Sequence, residues 1–148
     1  MALSYRVIKA LCVFAFCSNS FAQTFPVQNI FLFPLDTSLV FAGTFGEIRS
    51  NHFHSGIDIS TGGVEGKNVM AAASGYVSRI KVSAEGFGKA LYITHPNGYV
   101  TVYGHLQRFN DSLEKYVRAV QYRRESFEVE IFPEVNEFVF KQGDLIAY

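Results

Sequence analysis

The run Ala90-Leu91-Tyr92-Ile93-Thr94, the turn Pro96-Asn97-Gly98 and the run Tyr99 to His105 constrain this chain's fold more than any other stretch. β-branched and aromatic side chains fill both runs, and the Asn-Gly pair supplies the positive-φ residues that a tight antiparallel connection needs. A hairpin alone is marginal in water, so further strands must cover it. The composition agrees, with 15 Phe, 8 Tyr and no Trp in 148 residues. The expected fold is mainly β, an antiparallel sheet or sandwich. One segment departs from it: Leu113, Tyr116, Val117 and Val120 recur at i, i+3, i+4 and i+7 behind Asn110 or Asp111, either of which can cap a helix. This predicts one inserted helix over about 111–124, with Glu114, Lys115, Arg118, Arg123 and Arg124 on a solvated face.

The remaining elements follow from local signals. Val69 to Val82 reads as two short strands broken at Ser74-Gly75, with Tyr76, Val77 and Ile80 in one packing layer. Ser83 to Gly88 is a glycine-rich turn, and because a strand follows it rather than a helix start, it is not a phosphate-cradling loop. Ser126–Phe132 and Phe138–Phe140 alternate enough to be further strands or an arm over the sheet. Thirteen basic and thirteen acidic residues and 49% hydrophobic content fit one domain with a full core and give no electrostatic case for nucleic acid.

Residues 1–22 read as a signal peptide: Arg6 and Lys9 precede the apolar run Ala10 to Cys17, and Ser20-Phe21-Ala22 offers small residues for cleavage after Ala22. The run is well short of the roughly 20 residues a spanning helix needs, so no membrane span is expected in the mature chain. A lipidated Cys17 is disfavoured by Phe16. Both cysteines fall inside this segment, leaving no disulfide and no cysteine nucleophile. Residues 23–42, with Pro26 and Pro34 in an apolar run, read as an extended arm on the sheet.

The chemistry is concentrated in Asn51-His52-Phe53-His54-Ser55-Gly56-Ile57-Asp58-Ile59. His54 and Asp58 set an imidazole and a carboxylate four positions apart around a glycine, which suits zinc, a metal that takes both donors at about 2.0–2.2 Å. Alone, this spacing fits a turn with a surface histidine equally well, because a zinc site needs three protein ligands. His105, ending an alternating run, is by itself a buried strand-end histidine.

Taken together, HSGIDI at 54–59, NVMAAASGYVSRI at 68–80, ALYITHPNGYVTVYGHL at 90–106 and FKQGDLIAY at 140–148 resemble the lysostaphin-type (LytM) zinc metalloendopeptidases of peptidase family M23. The match is collinear from about Gly43 to Tyr148, which makes 43–148 the peptidase domain, with an insert at about 107–136. The resemblance implies the duplicated hybrid motif fold, zinc bound by His54 and Asp58, and His105 as a catalytic histidine hydrogen-bonding the attacking water or the oxyanion. It implies hydrolysis of peptide bonds in peptidoglycan in the periplasm, cell envelope or extracellular space, in a groove that Tyr99 or Tyr103 lines. In that family an H-x-H follows the K-x-G-D-x-I-A strand and supplies the third ligand. The sequence reaches Tyr148 within that strand, so the expectation is a C-terminally truncated fragment or a relative lacking the metal. The alternative function is a non-catalytic module that binds cell wall or activates an amidase. His52 offers a local H-x-H with His54, a minor alternative, and His95 beside Pro96 reads as structural.

Overall fold

A strand of eight residues, Gly75–Val82, organises the sheet, because it is paired along both edges. The computed structural model describes residues 30–148. In chain order the elements are β1 (Phe41–Gly43), β2 (Asp58–Ile59), β3 (Val69–Met70), β4 (Gly75–Val82), β5 (Lys89–Thr94), β6 (Val100–Tyr103), α1 (Asp111–Arg124), β7 (Val129–Ile131), β8 (Val139–Phe140) and β9 (Leu145–Ala147). β4 pairs antiparallel with β5 on one edge, and β7 and β8 share the other edge end to end. β6 lies outside β5, giving the order β6-β5-β4-β7 with β8 also on β4. β1 pairs with β2 and β3 with β9, each as a separate antiparallel pair. The fold is mainly β and antiparallel with a single helix among the described residues, as the sequence predicts. The proposed signal peptide and residues 23–29 of the arm lie outside the described residues.

The packing explains the sequence pattern and corrects part of it. Leu91 and Ile93 on β5 alternate into the core. On β4, Val77 and Ile80 are both fully buried although three positions apart, because the β4–β5 register shifts between Val77 and Arg79. Such a bulge adds one residue to the strand and resets its alternation. Tyr76 pairs across to Thr94 and Val139 and is only half-buried, so it does not share that layer. The hairpin tip closes through His95 N–H to Tyr99 O at 2.9 Å and Gly98 N–H to His95 O at 2.9 Å, with Gly98 at φ 84°.

The helix spans the predicted residues. Asn110 Oδ1 accepts the Leu113 N–H at 3.1 Å, Asp111 and Glu114 sit in the first turn, and Arg123 and Arg124 in the last, matching the helix dipole at both ends. Leu113, Val117 and Val120 are buried, and Tyr116 packs edge-on against Phe138 at 5.0 Å. Glu114 is not simply solvated, since its carboxylate accepts the Phe109 N–H at 3.1 Å and faces Arg118 at 3.4 Å. The segment before the helix docks on β9 through Asn110 N–H to Ile146 O at 2.9 Å and Tyr148 N–H to Arg108 O at 2.8 Å. The arm runs beside the 70–72 segment, with Leu32 N–H to Ala72 O at 2.7 Å and Met70 N–H to Pro34 O at 2.8 Å. Among the described residues, no helix is long and apolar enough to cross a membrane.

His95 is 3% exposed and saturated with partners, as expected of a structural residue. Its Nδ1–H donates to Ser74 O at 2.9 Å, leaving Nε2 to accept from the Thr101 hydroxyl at 2.9 Å. Tyr103 Oη lies 3.1 Å from Thr101 Oγ1 and accepts the Ala72 N–H at 2.8 Å. Tyr103 is therefore a buried link between β6 and the 71–75 segment, not a groove residue. Replacing His95 strands a buried carbonyl and a hydroxyl, so His95→Ala is expected to lower unfolding stability by on the order of 2 kcal/mol, read from urea denaturation midpoints. An unchanged midpoint would contradict this account of the network.

Candidate metal centre

The two-residue strand β2 and the tight hairpin before it bring the predicted donors together. Ile48 and Phe53 form an isolated bridge, closed by Arg49 N–H to His52 O at 2.9 Å and His54 N–H to Glu47 O at 2.8 Å. His54 leaves this hairpin four residues before Asp58, which enters β2 opposite Gly43 of β1. The result sets His54 Nε2 3.2 Å from Asp58 Oδ1. The His54 side chain is 17% exposed and that of Asp58 38%, so the pair is held from behind and open in front.

The protonation of His54 follows from its partners. Nδ1 lies 3.0 Å from Thr44 O, and a carbonyl oxygen only accepts, so Nδ1 carries the hydrogen. Arg49 Nη2, also a donor, is 3.5 Å from the same nitrogen, at the limit of hydrogen bonding, and does not compete with the shorter contact. In the neutral ring Nε2 then presents a lone pair to a carboxylate oxygen. Two acceptors at 3.2 Å call for a cation or a proton between them. Two zinc donors at about 2.0–2.2 Å in tetrahedral arrangement stand about 3.4 Å apart, close to what this pair shows. A ring nitrogen anchored to a backbone carbonyl is also the usual outer support of a metal-binding histidine.

Asp58 is tuned by residues that the sequence reading did not single out. Arg49 Nη2 donates to Asp58 Oδ2 at 2.6 Å and to Glu47 Oε2 at 3.2 Å, so Asp58 commits one oxygen to Arg49 and the other to His54. The hydrogen bond from Arg49 holds the Asp58 carboxyl below the ordinary carboxylate range; the charges of His54, Arg49 and His105 add to this against a smaller cost of burial. Gly43 makes the arrangement possible, since a Cβ there would overlap Asp58 Oδ2 and Arg49 Nη2. The only sequence signal for Arg49 is its place five residues before His54, which periodicity does not mark.

His105 lies at the end of β6, exposed, with φ 56°. Its charge is the smallest of those that lower the Asp58 carboxyl. The expectation of a buried strand-end histidine fails, since the left-handed residue turns the ring out of the sheet. His52 does not join the group: it is exposed, with Nδ1 on Asn51 Oδ1 at 2.5 Å. Tyr99 is exposed at the opposite end of β6 from His105, about 20 Å of extended chain away, and faces Phe31 at 6.1 Å. Among the described residues no three His, Cys, Asp or Glu side chains stand where they could hold one metal ion. The structure thus supplies a fitting pair of donors and not a complete set.

The model of Peptidase family M23 matches residues 52–122, from the segment carrying both donors through β6 and His105 into α1. Over these residues the chain is similar to peptidase family M23. No curated protein and no solved structure matches it. Similarity and geometry converge on the same stretch, because the matched residues contain His54, Asp58 and His105.

Two measurements test the tuning. The Asp58 carboxyl, followed by carbon NMR, is expected to titrate below the ordinary carboxylate value in the parent and to move up toward that value, about 3.9, in Arg49→Ala. Because the folded value is the depressed one, the pair's contribution to stability is present above about pH 4 and disappears as pH falls through the folded value. An unmoved titration would show that Arg49 does not set the carboxylate. His105→Gly removes the ring and relaxes a positive φ that costs of order 1 kcal/mol, so stability is expected to stay within about 1 kcal/mol of the parent. A larger loss in thermal unfolding would make His105 a structural residue.

Proposed function

We propose that this chain is an exported zinc metalloendopeptidase that hydrolyses peptide bonds of peptidoglycan, with His54 and Asp58 as metal ligands and His105 as a catalytic group. The observation that carries the reading is the His54 Nε2 and Asp58 Oδ1 pair at 3.2 Å, with the imidazole tautomer fixed by Thr44 O and the second carboxylate oxygen held by Arg49. Zinc, when bound, acts as a Lewis acid on the scissile carbonyl and brings water into a reactive range near neutral pH. The chain's own residues supply the rest. Asp58 offers an ionised oxygen, since Arg49 keeps it charged, and His54 turns toward it Nε2, the ring nitrogen that Thr44 O does not hold. His105, exposed at the end of β6, is suited to hydrogen-bond a water or the carbonyl oxygen of the substrate. No H-E-x-x-H occurs, so a glutamate of that motif is not the base. The export reading draws on residues 1–22, with the periplasm, envelope or exterior as destination.

A second reading, a non-catalytic module that binds cell wall or activates an amidase, draws on the lack of a third donor among the described residues. Retention of His54, Asp58 and His105 together weighs against it, because a degenerate domain has no chemical need for all three.

Incubating the full gene product with purified peptidoglycan separates the two. Peptidase action releases new amino groups in a zinc-dependent manner, and His54→Ala and Asp58→Ala are each expected to abolish both release and bound zinc while leaving the folded far-ultraviolet spectrum. Near-stoichiometric zinc in either variant would remove these residues as ligands. Amino-group release only when a separate amidase is added would favour the second reading.

A further inference from the structure

The turn between β4 and β5 carries a large apolar residue with no role in the core. Phe87 stands between Gly86 at φ 70° and Gly88 at φ 63°, and its side chain is 46% exposed. The turn is closed by Ser83 N–H to Gly88 O at 3.0 Å and by Ser83 Oγ–H to Glu85 O at 2.7 Å, so Phe87 is presented from a fixed support. It meets the end of β6 three times. Its carbonyl accepts the His105 N–H at 2.9 Å. Its ring stands edge-to-face with the His105 imidazole, centroids 6.0 Å apart and planes at 74°. It also lies against Gly104, where a Cβ would come within 3.0 Å of Phe87 Cδ1 and 3.4 Å of Cγ.

These contacts matter because little else orients the His105 side chain. Among the described residues the imidazole makes no hydrogen bond, and an exposed ring with two rotatable bonds would otherwise sample several rotamers. Its backbone is in the left-handed region, which for a non-glycine residue persists only when neighbours hold it. The Phe87 carbonyl supplies that hold on the main chain, and the Phe87 ring supplies it on the side chain.

We propose that Phe87 is a positioning residue for His105: its carbonyl and ring together fix the main-chain twist and the imidazole orientation at the end of β6, and Gly104 is the space that admits the ring. The inference rests on reading His105 as the catalytic group, but its structural half can be tested without turnover. In the full gene product labelled with nitrogen-15 histidine, long-range ring correlations report each imidazole separately. Phe87→Leu keeps the carbonyl and an apolar bulk while removing the aromatic edge. It is expected to shift and broaden the His105 ring signals and to leave those of His54 and His95 in place. Phe87→Tyr is expected to restore them. Gly104→Ala, by wedging the ring away, is expected to reproduce the Phe87→Leu effect and to add little in the Phe87→Leu background. In hydrolysis, kcat is expected to fall by roughly 10- to 100-fold in Phe87→Leu, with KM within about twofold, as for a misplaced catalytic group.

Unchanged His105 ring signals in Phe87→Leu would overturn the proposal, as would equal kcat losses in the Leu and Tyr variants. Were Phe87→Leu not to fold, Gly104→Ala and Phe87→Tyr carry the same test. Hydrolysis unaffected by His105→Ala would defeat the catalytic reading of His105 instead, and the ring signals would still decide whether Phe87 orients it.

Discussion

An ionised carboxylate in a half-covered position must be matched by positive charge or hydrogen bonds, and Asp58 organises its surroundings accordingly. One oxygen takes the Arg49 guanidinium at 2.6 Å, and the other faces His54 Nε2. Arg49 is held in turn by Glu47, Gly43 has no side chain that would block the approach, and Thr44 O fixes the tautomer of His54. The short β1–β2 pair and the Ile48–Phe53 bridge carry few apolar contacts of their own, and Phe45, Ile48 and Phe53 are exposed. The shape of this segment therefore depends on polar geometry around one carboxylate more than on burial. The net charge of Glu47, Arg49 and Asp58 is negative, which attracts a dication without leaving two carboxylates unopposed.

The two histidines of the β5–β6 hairpin show how identical side chains take opposite roles through backbone and burial. His95 is buried, with both ring nitrogens satisfied, and stitches the 71–75 segment to β6 through Thr101 and Tyr103. His105, ten residues on, is exposed in a left-handed conformation, and its ring is steadied by packing alone. Strain kept at an exposed residue is the kind of feature that stability does not require, and it suits the catalytic role proposed for His105.

Much of this was legible in the sequence where the signal is local. The Asn-Gly turn, the Asn110 cap with its i, i+3, i+4, i+7 stripe, and the break before Gly75 each fix an element from neighbouring residues. The His54–Asp58 pairing was legible only through the resemblance, because four residues around a glycine fit a surface histidine equally well. What was not legible depends on contacts between distant segments. The shift after Val77 is set by pairing with β5 and moved Tyr76 off the core face. Tyr103 is drawn inward by the Ala72 N–H, thirty-one residues earlier. Arg49 and Phe87 look like an ordinary surface cation and a loop aromatic until Asp58 and His105 are brought beside them.

The central claim is that His54 and Asp58 form one side of a zinc site already built before the metal arrives. The most direct measurement is anomalous diffraction at the zinc edge from crystals of the full gene product grown with zinc. The account predicts a single strong peak bonded to His54 Nε2 and Asp58 Oδ1, with Arg49 still on Asp58 Oδ2 and Thr44 O still on His54 Nδ1. Zinc bound elsewhere, for instance at His52, with the His54–Asp58 pair unchanged and metal-free, would contradict it.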